Sequence, residues 1–98
     1  MRVMVHWTIH PDKRHDVFAG FAAMDLDDYK NQPGPTITTV GRWHDVINGT
    51  GVVIFETDDM EALGQVLMLW NGVCDFKMAT AMTDEEAHEV CKKHPAGG

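Results

Sequence analysis

Hydrophobic and polar residues follow two different periods along this chain, and the order of those periods predicts its fold. Residues 2–9 alternate in the period-two pattern of a β-strand, with His6 on the opposite side from four large apolar residues. After Pro11, a residue tolerated in the first turn of a helix, apolar residues recur at helical spacing from Asp12 to about Lys30. The first strand is therefore expected to lead into one long helix.

The centre of the chain predicts a β-hairpin. Residues 36–47 and 50–57 are rich in β-branched and apolar residues, and Asn48-Gly49 between them has the composition of a two-residue type I′ turn. Such a turn fixes the register of the two strands. It assigns two pairs of side chains to opposite faces of the sheet: Arg42 with His44, and Trp43 with Glu56.

The second half of the chain repeats the order of helix and strand. Asp58 and Glu61 have the spacing of a capping box, which predicts a helix from Asp59 to Trp70. Residues 73–82 then alternate again, as expected for a strand.

A second capping box, Thr83 with Glu86, predicts a short terminal helix to about Lys93, before a tail at 95–98 that we expect to fray. The complete order is βαββαβ with this extra helix. It predicts a single domain over residues 1–98 with an α+β fold of the ferredoxin-like type. In that fold a four-stranded antiparallel sheet carries two helices on one face.

The sheet face without helices is expected to be too apolar to remain in water. Whichever way the strands face, side chains such as Met4 and Phe55, or their alternates Trp43 and Ile54, would be exposed. A contiguous apolar patch of that kind usually marks an interface. We therefore predict a homodimer in which two copies pack sheet face to sheet face.

Several short segments of the chain resemble a known superfamily. They are Gly41-Arg42-Trp43, Phe55-Glu56-Thr57-Asp58-Asp59, Trp70 and Asp75-Phe76. Together with the order of elements they are similar to the dimeric α/β-barrel superfamily, and within it to a bacterial family of unassigned function. The resemblance implies a ferredoxin-like fold, a dimer, and room for a small ligand between the two sheets or between each sheet and its helices. Monooxygenases of that superfamily act on phenols or quinols without metal or flavin, but the fold hosts many activities and implies none here.

Charge and composition exclude several classes of partner. A net charge of −7, with only eight scattered Lys and Arg residues, argues against binding to nucleic acid or to an anionic membrane surface. No apolar run is long enough for a signal peptide or a membrane span, so a cytoplasmic location is predicted. The two cysteines, Cys74 and Cys91, do not make a secreted disulfide framework and are interpreted as free thiols.

His6, Arg42 and His44 are the residues that we predict to bind a ligand. In the register given above they point between the two sheets of the dimer, where an imidazole beside a guanidinium orients or deprotonates an acidic organic molecule. With the opposite parity, Trp43 and Glu56 line the same space as an aromatic platform and a carboxylate base. The alternative without any ligand leaves all of them as polar residues at the rim of the dimer interface or hydrogen-bonded within it.

Metal ions and cofactors are not expected. His88, Cys91 and His94 are spaced three apart on the terminal helix, where all three cannot readily hold one ion, and a site there would need further ligands such as His10 or His15. No nucleotide-binding, phosphate-loop, serine-hydrolase or zinc-protease motif occurs in the sequence.

Two functions of different classes stay open on these grounds. The first is a small-molecule-binding homodimer, either a cofactor-independent monooxygenase-like protein or a sensory protein, with its pocket at His6, Arg42 and His44. The second is a non-catalytic structural or interaction module whose dimer is the functional unit. No substrate can be named from the sequence.

Overall fold

The secondary-structure elements follow the predicted order in a computed structural model of the chain, which describes residues 1–94. The strands are β1 Arg2–Ile9, β2 Thr38–Asp45, β3 Thr50–Glu56 and β4 Cys74–Thr80. The helices are α1 Arg14–Ala23, α2 Leu26–Asn31, α3 Met60–Met68 and α4 Asp84–Lys92, and a 3₁₀ turn, Pro11–Lys13, precedes α1. The predicted tail at 95–98 lies outside the described residues.

The four strands form one sheet in the order β2-β3-β1-β4, and every neighbouring pair is antiparallel. Helices α1, α2 and α3 lie on one face of this sheet, which we call the covered face. The other face is called the open face. This topology is the split βαβ arrangement, so the predicted α+β, ferredoxin-like fold is confirmed.

The hydrophobic core lies between the covered face and α3. Its buried members come from the two central strands, from the loop before β2 and from α3: Val3, Val5, Val53, Phe55, Ile37, Leu63 and Val66. Helix α1 differs from α3 because none of its residues is fully buried. The covered face is therefore tightly packed below α3 and more loosely packed below α1.

The connection between β2 and β3 differs from the predicted two-residue turn. Asp45 lies opposite Thr50, which leaves a four-residue loop at 46–49. A type I′ turn requires positive φ at both central residues, but in this loop only Gly49 has it, at 68°. The Asp45 carboxylate accepts hydrogen bonds from the backbone N–H and the side-chain amide of Asn48, at 3.1 and 2.8 Å. These bonds stabilise the longer loop, and the predicted turn type is wrong.

The longer loop shifts the strand register by two residues, so that His44 lies opposite Gly51 and not opposite Val53. Side chains alternate between faces with a period of two, and a shift of two therefore keeps the predicted pairs of side chains together on one face. Arg42 shares the covered face with His44, and Trp43 shares the open face with Glu56, as the sequence predicts.

The single long helix predicted from Asp12 to Lys30 is also wrong, because the chain breaks it in two. Met24 has extended backbone angles, with ψ at 147°. Asp25 then caps α2 by accepting a hydrogen bond from the backbone N–H of Asp28 at 3.0 Å. A carboxylate that captures a backbone N–H favours a new helix start over continuation of the old helix.

The two predicted capping boxes have different outcomes. The Thr83 hydroxyl accepts from the Glu86 N–H at 3.1 Å, and the Glu86 carboxylate accepts from the Thr83 N–H at 3.0 Å, so this box is confirmed. At α3 the cap is Asp59, which accepts from the Ala62 N–H at 3.0 Å. The predicted cap, Asp58, instead accepts from the Met1 amine at 2.7 Å.

Candidate functional site

A cavity of about 110 Å³ lies between the covered face and the helices, and we call it the covered-face cavity. Its wall is apolar and rich in aromatic residues, which come from β1, β3, β4, α1 and α2 and from the loop after α3: Trp7, Phe18, Phe21, Tyr29, Phe55, Phe76 and Trp70. The space exists because α1 does not bury side chains as deeply as α3 does. The cavity is therefore an apolar volume with a small number of polar groups at its edge.

Trp7 forms the wall on the sheet side. It lies opposite Gly51, and its ring fills the space that a Cβ atom at Gly51 would occupy. The ring then meets the edge of His44, with 5.2 Å between the ring centres and 69° between the planes. Glycine at this position thus lets an indole lie directly on the backbone of β3.

Arg42 is the permanent charge of the cavity. Its guanidinium lies over the Tyr29 ring, 4.6 Å from the ring centre, and 6.0 Å from the centre of Phe55. No carboxylate among residues 1–94 forms an ion pair with Arg42. The charge is stabilised by the faces of aromatic rings, which leaves the guanidinium N–H donors without an anionic partner.

His44 is the second polar residue of β2 at the cavity, two residues along the same face as Arg42. Its ring contacts Phe21, at 5.4 Å between ring centres, as well as Trp7. Burial against these rings, followed by the positive charge of Arg42, lowers the pKa of His44 below its ordinary value near 6.5. At neutral pH the imidazole is therefore uncharged and is able both to donate and to accept a hydrogen bond.

Two further titratable side chains line the cavity, Tyr29 and Cys74. Burial raises the pKa of Tyr29 by more than the nearby Arg42 charge lowers it. Burial also raises the pKa of Cys74, with a smaller contribution from the charge of Asp75. Both side chains consequently keep their protons at neutral pH, and Arg42 remains the charged group.

The orientation of Gln32 is set by Trp70. The indole Nε1–H of Trp70 donates to the Gln32 side-chain oxygen at 3.0 Å. An indole nitrogen can only donate, so the oxygen of the amide must face it. The amide nitrogen of Gln32, with its two N–H donors, is left for other partners.

The structure brings together two of the three predicted ligand-binding residues. Arg42 and His44 both line the covered-face cavity, below the helices and not between two sheets. His6 pairs with Val52 and lies on the open face, because its neighbours Val5 and Trp7 face the helices. The grouping of His6 with Arg42 and His44 is wrong.

The open face has a depression of its own. It has a volume of about 550 Å³, is more open to solvent than the covered-face cavity, and is lined by His6, Trp43 and Lys77 among others. Trp43 is 61% exposed and lies over Gly41. Glu56 forms an ion pair with Arg2 at 3.4 Å. Trp43 and Glu56 thus lie on the face without helices, which is where the alternative orientation of the strands predicted from the sequence placed them.

The rim of the covered-face cavity includes the hairpin loop. Val46 lines the cavity and is 58% exposed. Arg14, at the start of α1, donates from Nη2 to the carbonyl oxygen of Asn48 at 2.7 Å and lies close to Gly49. The Arg14 Nε atom is buried without a hydrogen-bond partner in the described part of the chain. One side chain thereby connects α1 to the tip of the hairpin.

The histidines and cysteine considered for a metal site are dispersed. His10 Nε2 lies 3.0 Å from a carboxylate oxygen of Asp75, while His88 and Cys91 are exposed on α4. Within residues 1–94 no three His, Cys, Asp or Glu side chains come close enough to share an ion. Nor does any helix in that range combine the length and apolar character needed to cross a membrane.

Sequence reasoning missed the aromatic residues that build the cavity. Trp7 was visible only as a member of the apolar side of β1. Phe21, Tyr29 and Trp70 come from three different segments of the chain, and the break before α2 is what directs Tyr29 toward Arg42. The available signal was the unusual presence of Tyr29 and Trp70 close to the ends of their helices.

These features define a ferredoxin-like domain with an aromatic cavity, containing one cation, between its sheet and its helices. The chain belongs to the family described as a domain of unknown function, DUF3303, whose model matches residues 1–95. No curated protein matches the sequence. Among solved structures, one described as an antibiotic biosynthesis monooxygenase is similar, with 18% sequence identity and a TM-score of 0.48. The match covers 85% of this chain and 100% of that one, and it assigns no activity to this chain.

Proposed function

We propose that this protein binds a small, ring-containing molecule in the covered-face cavity, with Arg42 and His44 as its polar contacts. The observation that carries the proposal is an aromatic cavity of about 110 Å³ with a guanidinium and an uncharged imidazole at its edge. Binding sites for small molecules combine apolar walls with a few placed polar groups in this way. An apolar cavity of about 150 Å³ is large enough to bind benzene, so the size suits one ring.

The proposal includes turnover or sensing at the same pocket. An uncharged imidazole is able to accept a proton from an acidic hydroxyl group, as in a monooxygenase-like reaction of a phenol or quinol. A sensory protein would bind the same molecule and return it unchanged. Analysis of the bound molecule after incubation in air separates the two, because only turnover alters its mass.

Ligand binding is tested by a screen of phenols, quinols and short organic acids. Thermal unfolding and intrinsic fluorescence are suitable readouts, since Trp7 and Trp70 line the cavity. The variant Val17→Phe should fill the space below α1 and abolish binding, whereas Ala19→Phe, at an exposed position of the same helix, should retain it. Binding that survives the filling of the cavity would contradict the proposal.

We further propose that the functional unit is a homodimer formed through the open face. Supporting this, Met4, Val52 and Ile54 are only half-buried on that face, and Trp43 is largely exposed. A second copy would cover the apolar surface that one copy leaves in water.

The dimer is tested by sedimentation at micromolar concentration. The wild type is expected at twice the chain mass of 11.0 kDa, and Ile54→Lys at the mass of one chain. Gln65→Lys, on the exposed surface of α3, adds the same charge away from the open face and should leave the dimer intact. A stable single copy of the wild type would remove the dimer and leave the cavity proposal standing.

The exposed Trp43 favours one alternative, an interaction module without a ligand. A dimer that forms through the open face, together with no binding of any ring compound in the screen, would support this alternative. Tight binding of one metabolite would count against it.

A further inference from the structure

We infer that the ligand of the covered-face cavity is a compact organic anion, a single-ring carboxylate, whose acid group pairs with Arg42. This inference rests on the proposed function, because it names the ligand class of the same cavity.

The charge inside the cavity has the opposite sign to that of the whole protein. The chain has a net charge of −7. Among the described residues that line the cavity, however, there is no Asp, Glu or Lys, and Arg42 carries the charge. Asp and Glu outnumber Lys and Arg by fifteen to eight, so a wall without any carboxylate is a departure from the composition. The cavity is complementary to a negative charge.

Arg42 is available for an anion. It lies over the ring faces of Tyr29 and Phe55, and it also donates a hydrogen bond to the Tyr29 hydroxyl, which offsets part of the rise that burial causes in the pKa of Tyr29. A guanidinium has five N–H donors, so donors remain for an anion, and no carboxylate of the described residues uses them. A planar guanidinium matches a carboxylate in two parallel hydrogen bonds, the strongest geometry for such a pair. A ligand carboxylate would therefore gain a partner that the protein itself does not supply.

The other polar groups of the cavity are also better suited to an acceptor than to a donor. Gln32 turns its oxygen to Trp70 and keeps its N–H groups unused. The Tyr29 hydroxyl retains its proton, and the uncharged His44 can donate from one ring nitrogen. Carboxylates accept hydrogen bonds and donate none when ionised, so they match this set of donors.

The cavity limits the rest of the ligand to one ring. Its volume of about 110 Å³ is below that of a cavity known to hold benzene, and its walls are aromatic rings that stack on or meet the edges of another ring. At most one ring fits inside this volume, and the acid group then extends from the ring to Arg42 at the edge of the cavity. A fused two-ring acid exceeds the volume.

Three ligands of one shape test the inference: benzoate, benzamide and benzamidine carry a charge of −1, 0 and +1. Their affinities are measured by fluorescence titration at pH 7 in a Trp43→Phe background, in which the remaining Trp7 and Trp70 line the cavity. Benzoate should bind about ten- to a hundredfold more tightly than benzamide, because a hydrogen bond to a charged group is stronger by that factor. Benzamidine should bind least, and 2-naphthoate should bind more weakly than benzoate.

The variant Arg42→Met should reduce the benzoate affinity to that of benzamide while leaving the benzamide affinity almost unchanged. Lys77→Met removes the same charge from the open face and should preserve the preference for benzoate. Far-UV circular dichroism of each variant confirms that it is folded.

Equal affinities for benzoate and benzamide, or a preference for benzoate that persists in Arg42→Met, would overturn the inference and leave the proposed ring-binding function in place. Failure of all three compounds to bind at millimolar concentration would overturn the inference, and the screen with phenols and quinols then decides separately on the proposed function.

Discussion

The two faces of the sheet are built from the same alternating strands, yet they treat polar residues differently. On the covered face, Arg42 and His44 lie against aromatic rings, and the pKa of His44 is lowered by that environment. On the open face, His6 and Trp43 are exposed. His44 is exposed as well, and what distinguishes it is its ring contacts with Trp7 and Phe21. Neighbouring residues of one strand therefore have different environments, because helices cover one face of the sheet and not the other. The comparison shows that the helices, and not the strand sequence, decide which polar side chains become a site.

The largest expected difference between the faces concerns neighbouring residues of β3. Phe55 is 3% exposed on the covered face, so Phe55→Ala should lower the free energy of unfolding by about 3–5 kcal/mol through loss of buried surface and an unfilled cavity. Ile54→Ala on the open face should cost less than about 1 kcal/mol within one copy. Denaturant unfolding at several protein concentrations measures both, since any further loss in Ile54→Ala should depend on concentration. Equal losses in dilute solution would break the comparison.

Two glycines that each lie below a tryptophan ring provide a matched pair of variants, with an expected effect of intermediate size. Gly51→Ala places a methyl group against the ring of Trp7, which is packed in the wall of the cavity, and should destabilise the fold by about 1–3 kcal/mol. Gly41→Ala meets the ring of Trp43, which is exposed and free to move into solvent, and should stay within about 0.5 kcal/mol. Thermal unfolding of both variants under one condition is the measurement. A larger loss at Gly41 would indicate that Trp43 is held by a partner.

The smallest expected effect is the pH dependence that His44 contributes. Because the pKa of His44 is lower in the folded protein than near 6.5 in the unfolded chain, the unfolded state binds more protons in the interval between these values. The contribution of His44 to stability is therefore complete above the unfolded value and is lost as the pH falls through the folded value. His44→Gln should flatten this part of the stability curve, with His6→Gln as the control on the open face.

The pKa itself can be followed by NMR titration of the His44 ring protons. Arg42→Met should raise it toward the ordinary value, but only in part, because burial is the larger cause of the shift and Arg42 the smaller. A complete return to the ordinary value would show that the charge, and not the enclosure, sets the chemistry of the covered face.

The sequence predicted those features that depend on neighbouring residues. The alternation in β1 predicted both its bounds and the side chains that share one side of the strand, such as Val5 and Trp7. The pairing of Arg42 with His44 on one face was predicted correctly although the turn was not, because the real register differs by an even number of residues. The face itself was not predicted: the two side chains were expected between the sheets of a dimer, and they lie below the helices.

The features that could not be predicted depend on distant contacts. His6 was wrongly grouped with Arg42 and His44 because the pairing of β1 with β3 joins residues about fifty positions apart, and no local pattern fixes its register. His6 lies on the open face, whereas the two β2 residues lie on the covered face. The cavity depends on how far α1 stands from the sheet and on the break at Met24, where Asp25 competes for a backbone N–H. The position of α1 results from packing and the break at Met24 from capping, and the alternation of apolar and polar residues predicts neither.

The hydrogen bond between Arg14 and the hairpin loop has a consequence for any mutational scan of the site. Arg14 is 34 positions from Asn48 and does not line the cavity, yet its hydrogen bond holds the loop that carries Val46 at the opening. Shortening this side chain would free the loop and alter how fast a guest enters and leaves, with little change in the walls that hold it. The residues that form the walls and the residue that holds the loop at Val46 are therefore different, and a library restricted to the lining would omit Arg14.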